Sequence, residues 1–357
     1  MKINLNLIKN FKKNLHHGLA VDLGSNKIIV YLDKKGIVFE EKSIVAVNNK
    51  TKQIIAIGQE AQEMLGKTPS YISIIEPLEK GVISNFEIAE KLLRYILTDI
   101  KEKHNLSNFF FNPNIIVGVN ANSTEVQLRA AIDMLRNAGG KNIYLIEKPL
   151  SIAIGCGLLL TEAKGHLIVD IGAGITEVSV VSLGGIVVSK NTTIAGNKFN
   201  QDIVQYIKSK FKLAIGVQTA EIIKTKIGNA IDLNKDETLN IKGRDLITGL
   251  PKEIKITSDE AREALLESLD VIIQTIKNVI EETPPELISD IIDKGILVTG
   301  ESSKLKGIKE LIEKHTGLSV NLIDNPKNSV IKGEGSVLEN FQVMKTYLLN
   351  EDGNTSW

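Results

Sequence analysis

Ala20-Val21-Asp22-Leu23-Gly24-Ser25 and Ile168-Val169-Asp170-Ile171-Gly172-Ala173-Gly174 decide how this chain is read. In each, a hydrophobic strand runs into Asp-aliphatic-Gly and leaves as a second hydrophobic strand. The second strand is Ile28-Ile29-Val30-Tyr31 in the first copy and Val178-Ser179-Val180-Val181 in the second. An aspartate at the mouth of an apolar hairpin is costly to bury unless it faces a cation or a cluster of hydrogen-bond donors. The glycines beside it allow a sharp turn and present bare N–H groups to an anion. Two such hairpins in opposing halves of a protein are expected to make a phosphate clamp with a metal-holding carboxylate in each jaw. That is the plan of a nucleotide site.

At 357 residues the chain is long enough for two domains with real cores. Lys plus Arg (43) equals Asp plus Glu (43), so net charge gives no argument for bulk nucleic-acid binding, and no feature suggests sequence-specific recognition. The single cysteine, Cys156, rules out an internal disulfide, fits a reducing cytosol and reads as a small core residue. No apolar run approaches the ~18 residues that span a bilayer, and the first residues lack the apolar core of a secretory signal. These features predict a soluble intracellular protein.

Strands and helices alternate, the pattern of α/β architecture. Helices are predicted from about Ser123 to Ala138, stopped by Gly139-Gly140, and from about Phe86 to Lys103. A long helix is expected from its cap at Ser258 to about Glu282, ahead of Pro284-Pro285. Continuous apolar strands are expected at Ile115–Val119, Tyr144–Ile146, Leu167–Val169 and Gly295–Val298. The stretch from about Asn191 to Pro251 is more polar and reads as a smaller insertion.

With both hairpins in place, the chain resembles the bacterial actin family MreB along nearly its whole length. The resemblance is carried by Gly66-Lys67-Thr68-Pro69, Gly81-Val82-Ile83, Ala214-Ile215-Gly216, Thr219-Ala220-Glu221, Gly249-Leu250-Pro251, Thr283-Pro284-Pro285-Glu286-Leu287 and Ser289-Asp290-Ile291-Ile292, in order and at family spacing. It implies an α/β, actin-like fold: two ribonuclease-H-like domains flanking a nucleotide cleft, each with a smaller inserted subdomain. Domain I would cover residues 1–154, with subdomain IB at about 35–75. Domain II would cover 155–325, with subdomain IIB at about 191–254, and residues 326–350 would return to domain I.

Carried over residue by residue, the resemblance implies that Asp22 and Asp170 hold Mg²⁺ through water, which suits an ion that gives up its hydration reluctantly. Gly24 and Ser25, in a loop completed by Asn26 and Lys27, would meet the phosphates of ATP or ADP from one side. Gly172, Ala173 and Gly174 would meet them from the other. Glu221 and Lys224, three apart on one helical face, match the family pair that touches ribose and adenine. Gly300, followed by Glu301 and Ser302, matches the adenosine-side loop.

The departures from the family bear on chemistry. Leu145-Ile146-Glu147-Lys148-Pro149 stands where the family has Leu-Ile-Glu-Glu-Pro, so Lys148 replaces the carboxylate that polarises the attacking water. An ammonium has no lone pair with which to accept a proton or hydrogen bond from water. Ile175, in Gly172-Ala173-Gly174-Ile175-Thr176-Glu177, replaces a threonine that would help hold the same water. Together they predict weak or lost ATP hydrolysis; the alternative is a competent ATPase in which Glu147 or Thr176 positions the water. Thr299-Gly300-Glu301-Ser302 replaces Thr-Gly-Gly-Gly, which puts a Cβ where positive φ is expected and a carboxylate near phosphate. Lys27, in place of an asparagine, would offset that charge. Asn197 and Asn200 stand where the family has aspartates.

The expected partners are further copies of the chain in a protofilament, sibling MreB paralogues, and an anionic membrane surface. Ile3, Leu7, Ile8 and Phe11 fall on one face of a helical projection, with Lys2, Lys9, Lys12 and Lys13 opposite. Phe109-Phe110-Phe111 stands where the family has a lipid-inserting loop. These features predict a cytoplasmic, membrane-peripheral cytoskeletal protein for cell shape or motility. A sugar kinase would need an acceptor-sugar base, for which there is no candidate, and a DnaK-type chaperone would need a longer chain. The altered catalytic positions and the heavy use of Lys, Asn and Ile point by analogy to a divergent paralogue from a wall-less bacterium of the Spiroplasma kind. Adjacent His16 and His17 lack further ligands at metal spacing.

Overall fold

The two hydrophobic hairpins of the sequence are the centres of two sheets. In the computed structural model, which describes residues 18–106, 113–232 and 237–349, the chain divides into two compact units. One is Met1–Leu159 with Asn328–Trp357, and the other is Leu160–Lys327.

In the first unit, Leu19–Leu23 pairs antiparallel with Lys27–Leu32, which pairs with Gly36–Lys42. On its other side Leu19–Leu23 runs parallel to Asn114–Val119, and that strand runs parallel to Asn142–Glu147. Strands covered on both faces need apolar residues without alternation, and Leu19, Ala20, Val21, Ile115, Ile116 and Val117 are all fully buried. The helix Phe86–Lys103 buries Ile88, Leu92, Leu93, Ile96 and Ile100 at helical spacing and is capped by Asn85. The helix Glu125–Ala138 starts from a reciprocal Thr124–Gln127 capping box and stops at Gly139, whose φ of 120° suits glycine. A small sheet of Ile54–Ile57, Val45–Asn48 and Ile72–Ile75 has a minor core of its own around Ile44, Ala46 and Ala61.

The second unit repeats the plan strand for strand. His166–Ile171 pairs antiparallel with Thr176–Ser182, which pairs with Gly185–Thr192, and runs parallel to Ile296–Thr299, beyond which lies Val320–Leu322. The register of the two hairpins is identical, with Asp22 opposite Ile29 and Asp170 opposite Glu177. Two sheets of three hairpin-linked strands plus two parallel strands make the architecture actin-like.

Three sequence expectations are adjusted. The helix Ser258–Glu282 has the expected extent, but its cap is Thr257, which forms a capping box with Glu260 and leaves Ser258 as the first helical residue. The polar stretch after Asn191, expected as a smaller insertion, packs into the core of the second unit. Phe199, Ile203, Ile223, Ile241 and Ile256 share one core with Leu167, Val169 and Val180 of the main sheet. Its apolar residues are spaced at helical and strand periods, which average composition hides. Cys156 is half-buried at the end of the helix Lys148–Gly155, and burial pushes its thiol up to about 11.

The helix Ser329–Glu339 belongs to the first unit, where it crosses the helix Lys148–Gly155 at close range. A Cβ on Gly333 would fall on the Ser151 carbonyl, and one on Gly155 would fall on the Ser329 carbonyl, so two backbones touch where neither can carry a side chain. Among the described residues no helix is long and apolar enough to cross a membrane. Ile3, Leu7, Ile8, Phe11, His16, His17, Phe109, Phe110 and Phe111 lie outside the described residues.

Candidate functional site

Each hairpin closes through the same bond. The Gly24 N–H donates to the Lys27 carbonyl at 3.0 Å, and the Gly172 N–H donates to the Ile175 carbonyl at 3.0 Å. A Cβ on Gly24 would sit 2.6 Å from the Lys27 oxygen, so the turn excludes any side chain there. The first loop is braced from the neighbouring strand. Ser43 Oγ donates to the Gly24 carbonyl at 2.8 Å and the Ser43 N–H donates to the Asn26 carbonyl at 3.0 Å. Ser25 Oγ accepts from the Gly81 N–H at 3.0 Å, and the Gly81 carbonyl accepts from Asn120 Nδ2 at 3.0 Å. The Gly81-Val82-Ile83 stretch therefore orients Ser25. Asn26 Oδ1 receives Lys42 Nζ at 3.5 Å. Lys27, expected to lend positive charge to phosphate, is ion-paired with Glu40 at 3.1 Å, a diagonal cross-strand neighbour.

Lys148 opens the helix Lys148–Gly155, with Glu147 at the N-cap making no side-chain capping bond. A cation at this end opposes the helix dipole, so other charges must account for its placement. Its Nζ lies 3.5 Å from Asp22 Oδ1, with only 12% and 13% of the two side chains exposed. Despite that ion pair, Asp22 Oδ1 is buried without a hydrogen-bond partner. Lys148 and Gly118 also line a cavity of about 230 Å³, walled by Leu23, Leu78, Gly81 and Val126. Burial raises the Glu147 carboxyl above the ordinary glutamate range.

In the second unit the loop is stitched to two further segments. The Gly196 N–H donates to the Gly172 carbonyl at 3.2 Å, the Asn197 N–H to the Ala173 carbonyl at 2.7 Å, and Ser302 Oγ to the Gly172 carbonyl at 2.7 Å. Gly174 is buried and Ile175 half-buried. Thr176 is fully buried, and its hydroxyl donates to the Ile194 carbonyl at 2.7 Å, so its proton is committed to the fold. Position 301 differs from expectation. The positive φ of 86° falls on Gly300, where a Cβ would meet both the Ile171 carbonyl and Asp170. Glu301 begins a 3-10 turn, Glu301–Lys304, so its Cβ brings no strain.

Glu221 and Lys224, predicted as a pair, are joined at 2.8 Å. Lys224 Nζ also donates to the Gly196 carbonyl at 3.2 Å. Asn200 Nδ2 donates to the same Glu221 oxygen at 2.6 Å. An aspartate at 200 would set a second carboxylate against Glu221, so the amide keeps this cluster balanced. Asn200→Asp should lower stability by about 1–3 kcal/mol, read as a shift in the thermal unfolding midpoint. An unchanged midpoint would show that the Asn200 contact carries no weight.

Among the described residues no group of three or more His, Cys, Asp or Glu could hold a metal ion. Mg²⁺ needs only one or two carboxylates with water and phosphate. The orphaned Asp22 oxygen suits a hydrated cation, although Lys148 already offers it a positive charge.

Sequence reasoning missed Glu334, which is fully buried; burial first and then the charge of Asp22 hold its carboxyl well above the ordinary glutamate range, against a smaller pull from Lys148. Its signal was a glutamate between Gly333 and Gly335 inside a helix, a composition that marks close packing rather than a solvated face.

The two-sheet plan defines an actin-like protein. A family model for MreB/Mbl protein matches residues 16–346, and the chain belongs to that family. It is 39% identical over 322 residues to the cell shape-determining protein Mbl of Bacillus subtilis, covering 90% of this chain and 96% of that one. It is 35% identical over 350 residues to the cell shape-determining protein MreB of Escherichia coli K12, covering 97% and 100%. Among solved structures, MreB5 of Spiroplasma citri bound to ADP superposes with a TM-score of 0.87 at 34% identity, covering 92% of this chain and 97% of that one. The same protein has also been solved with AMPPNP. The MamK double helical filament, at 22% identity and a TM-score of 0.75, shares the fold.

Proposed function

We propose that this chain is a cytoskeletal protein that binds ATP-Mg and polymerises into membrane-associated protofilaments for cell shape or motility, with weak or lost ATP hydrolysis. The observation that carries the reading is Lys148 at the head of its helix, paired with Asp22, at the position where the family has its water-polarising glutamate. An ammonium fixed there can meet a phosphate oxygen but cannot take a proton from water. Losing a general base costs about 10²–10⁴-fold in rate. Gly24, Ser25, Asn26, Gly172, Ala173 and Gly174 would line the phosphates, Glu221 and Lys224 the nucleoside, with Gly300, Glu301 and Ser302 beside it. Asp22 and Asp170 would hold hydrated Mg²⁺, which when bound neutralises and orients phosphate oxygens. The nucleotide-bound Spiroplasma citri relative supports nucleotide binding, and the filament-forming MamK shares the fold. Slow hydrolysis would leave filaments long-lived, because phosphate loss is what ages an actin-type polymer.

One observation favours the rival reading of a competent ATPase. Glu147 adjoins Lys148, and its carboxyl is raised toward the range of a useful base. The buried Thr176 hydroxyl is the weaker compensator because its proton is already donated.

Sedimentation and phosphate release with ATP-Mg test both readings, with and without anionic vesicles. The expected result is pelleting that needs ATP, co-sedimentation with the vesicles, and release near background. Release that keeps pace with filament turnover, and falls in Glu147→Gln, would sink the weak-hydrolysis reading in favour of its rival.

A further inference from the structure

The turn Lys80-Gly81 joins the short strands Leu78–Glu79 and Val82–Ile83, which pair antiparallel. Both turn residues have positive φ, 49° at Lys80 and 75° at Gly81, the backbone of a two-residue hairpin. A lysine is disfavoured in that region and a two-stranded hairpin is marginal by itself, so the turn needs anchors from elsewhere. Gly81 has two. Its N–H donates to Ser25 Oγ at 3.0 Å, and its carbonyl accepts from Asn120 Nδ2 at 3.0 Å. Ser25 belongs to the loop after Leu19–Leu23, and Asn120 directly follows Asn114–Val119, the parallel neighbour of that strand. Both side chains therefore come from one end of the sheet, the end at which α/β sheets commonly bind ligands.

Asn120 is 7% exposed, and its Oδ1 is buried without a hydrogen-bond partner. An apolar side chain of similar size would fill the space without leaving an orphaned acceptor, so packing does not require an amide. What the amide supplies is a donor for the Gly81 carbonyl. Ser25 is left in a defined state: its oxygen already accepts from Gly81, so its own proton is available to a further acceptor. We infer that Asn120 is a positioning residue, which holds the Lys80-Gly81 turn so that the Ser25 hydroxyl is kept as a hydrogen-bond donor to bound phosphate. Asn120 acts on phosphate only through Gly81 and Ser25. This role rests on the nucleotide reading above; the hold on Gly81 does not.

The test is a double-mutant cycle in the full-length protein: wild type, Asn120→Leu, Ser25→Ala and both together, with the dissociation constant for ATP-Mg read by titration calorimetry. Ser25→Ala should weaken ATP about tenfold or more, the loss of one hydrogen bond to a charged group. Asn120→Leu should weaken it about fivefold while Ser25 is present, and by less than about twofold once Ser25 is alanine. Ser25→Thr, which keeps a hydroxyl, should keep the dependence on Asn120. Thermal unfolding without nucleotide reads the hold on Gly81 separately. Because each anchor loses its grip when the other is gone, the double variant should lose less Tm than the two single variants added together. Should Asn120→Leu yield no soluble protein, Asn120→Ala takes its place in both cycles.

ATP affinities that fall additively, or an Asn120→Leu protein that binds ATP as tightly as wild type, would overturn the positioning role. Additive Tm shifts would overturn the hold on Gly81. If wild type binds no ATP while the Tm shifts are coupled, the nucleotide reading and the positioning role fall together, and only the hold on Gly81 stands.

Discussion

Phosphate release with ATP-Mg should rise by about 10²–10⁴-fold over wild type when Lys148→Glu and Ile175→Thr are combined. Each change answers one obstacle in the proposed reading of the site. Lys148 puts an ammonium where the proposed reading calls for a lone pair, and it is ion-paired with Asp22. Ile175 offers no hydroxyl, and the neighbouring Thr176 is a weak substitute, because its own hydroxyl is buried and donated to the Ile194 carbonyl. A time course of free phosphate at saturating ATP checks the prediction. A double variant no faster than wild type would mean that these two positions do not limit hydrolysis.

The second large effect is on stability. Gly333→Ala should destabilise the protein by about 3 kcal/mol or more, the upper part of the range for overpacking. Helix propensity alone argues the other way, because alanine is favoured over glycine in a helix by about 1 kcal/mol. Packing wins here because the new Cβ would fall on the Ser151 carbonyl, a backbone atom that cannot swing aside as a side chain can. The two helices would have to separate, taking Lys148 and Glu334 with them. Gly216→Ala is the control: its Cβ would meet open space, and it should change stability by less than about 1 kcal/mol. Urea midpoints of the two variants decide the matter, and equal midpoints would remove the helix crossing as a source of stability.

Much of the fold was legible because it is written in local pattern. The two Asp-aliphatic-Gly hairpins occur in identical register, and the strand at Asn114–Val119 announces itself as a run of apolar residues. The helices Phe86–Lys103 and Glu125–Ala138 carry both their periodicity and their stop signals. Where the sequence misled, longer-range geometry was at work. Ser258 looked like a cap because it precedes a helix, but Thr257 has the reciprocal partner in Glu260. Lys27 read as a phosphate cation, yet a sheet diagonal assigns it to Glu40. Glu301 read as a strained position, whereas the turn places the demand for positive φ one residue earlier. Glu334 was invisible because a lone glutamate in a helix is ordinarily solvated. Only the meeting of Gly118, Lys148 and Ser329–Glu339, segments far apart along the chain, reveals that this one is not.

That late helix also governs the order in which the protein can be built. A ribosome delivers Met1–Leu159 first, but this unit lacks Val330, Ile331 and Val337 of its interior until the last stretch of chain emerges. All of Leu160–Lys327 is synthesised in the meantime, at about 5–20 residues per second. The nascent first unit must therefore wait roughly 10–30 s with a groove open along Lys148–Gly155, while the second unit already has every strand of its own sheet in hand. Vectorial synthesis thus lets the half that emerges second be completed first, and a chaperone that shields the waiting groove would act during that interval.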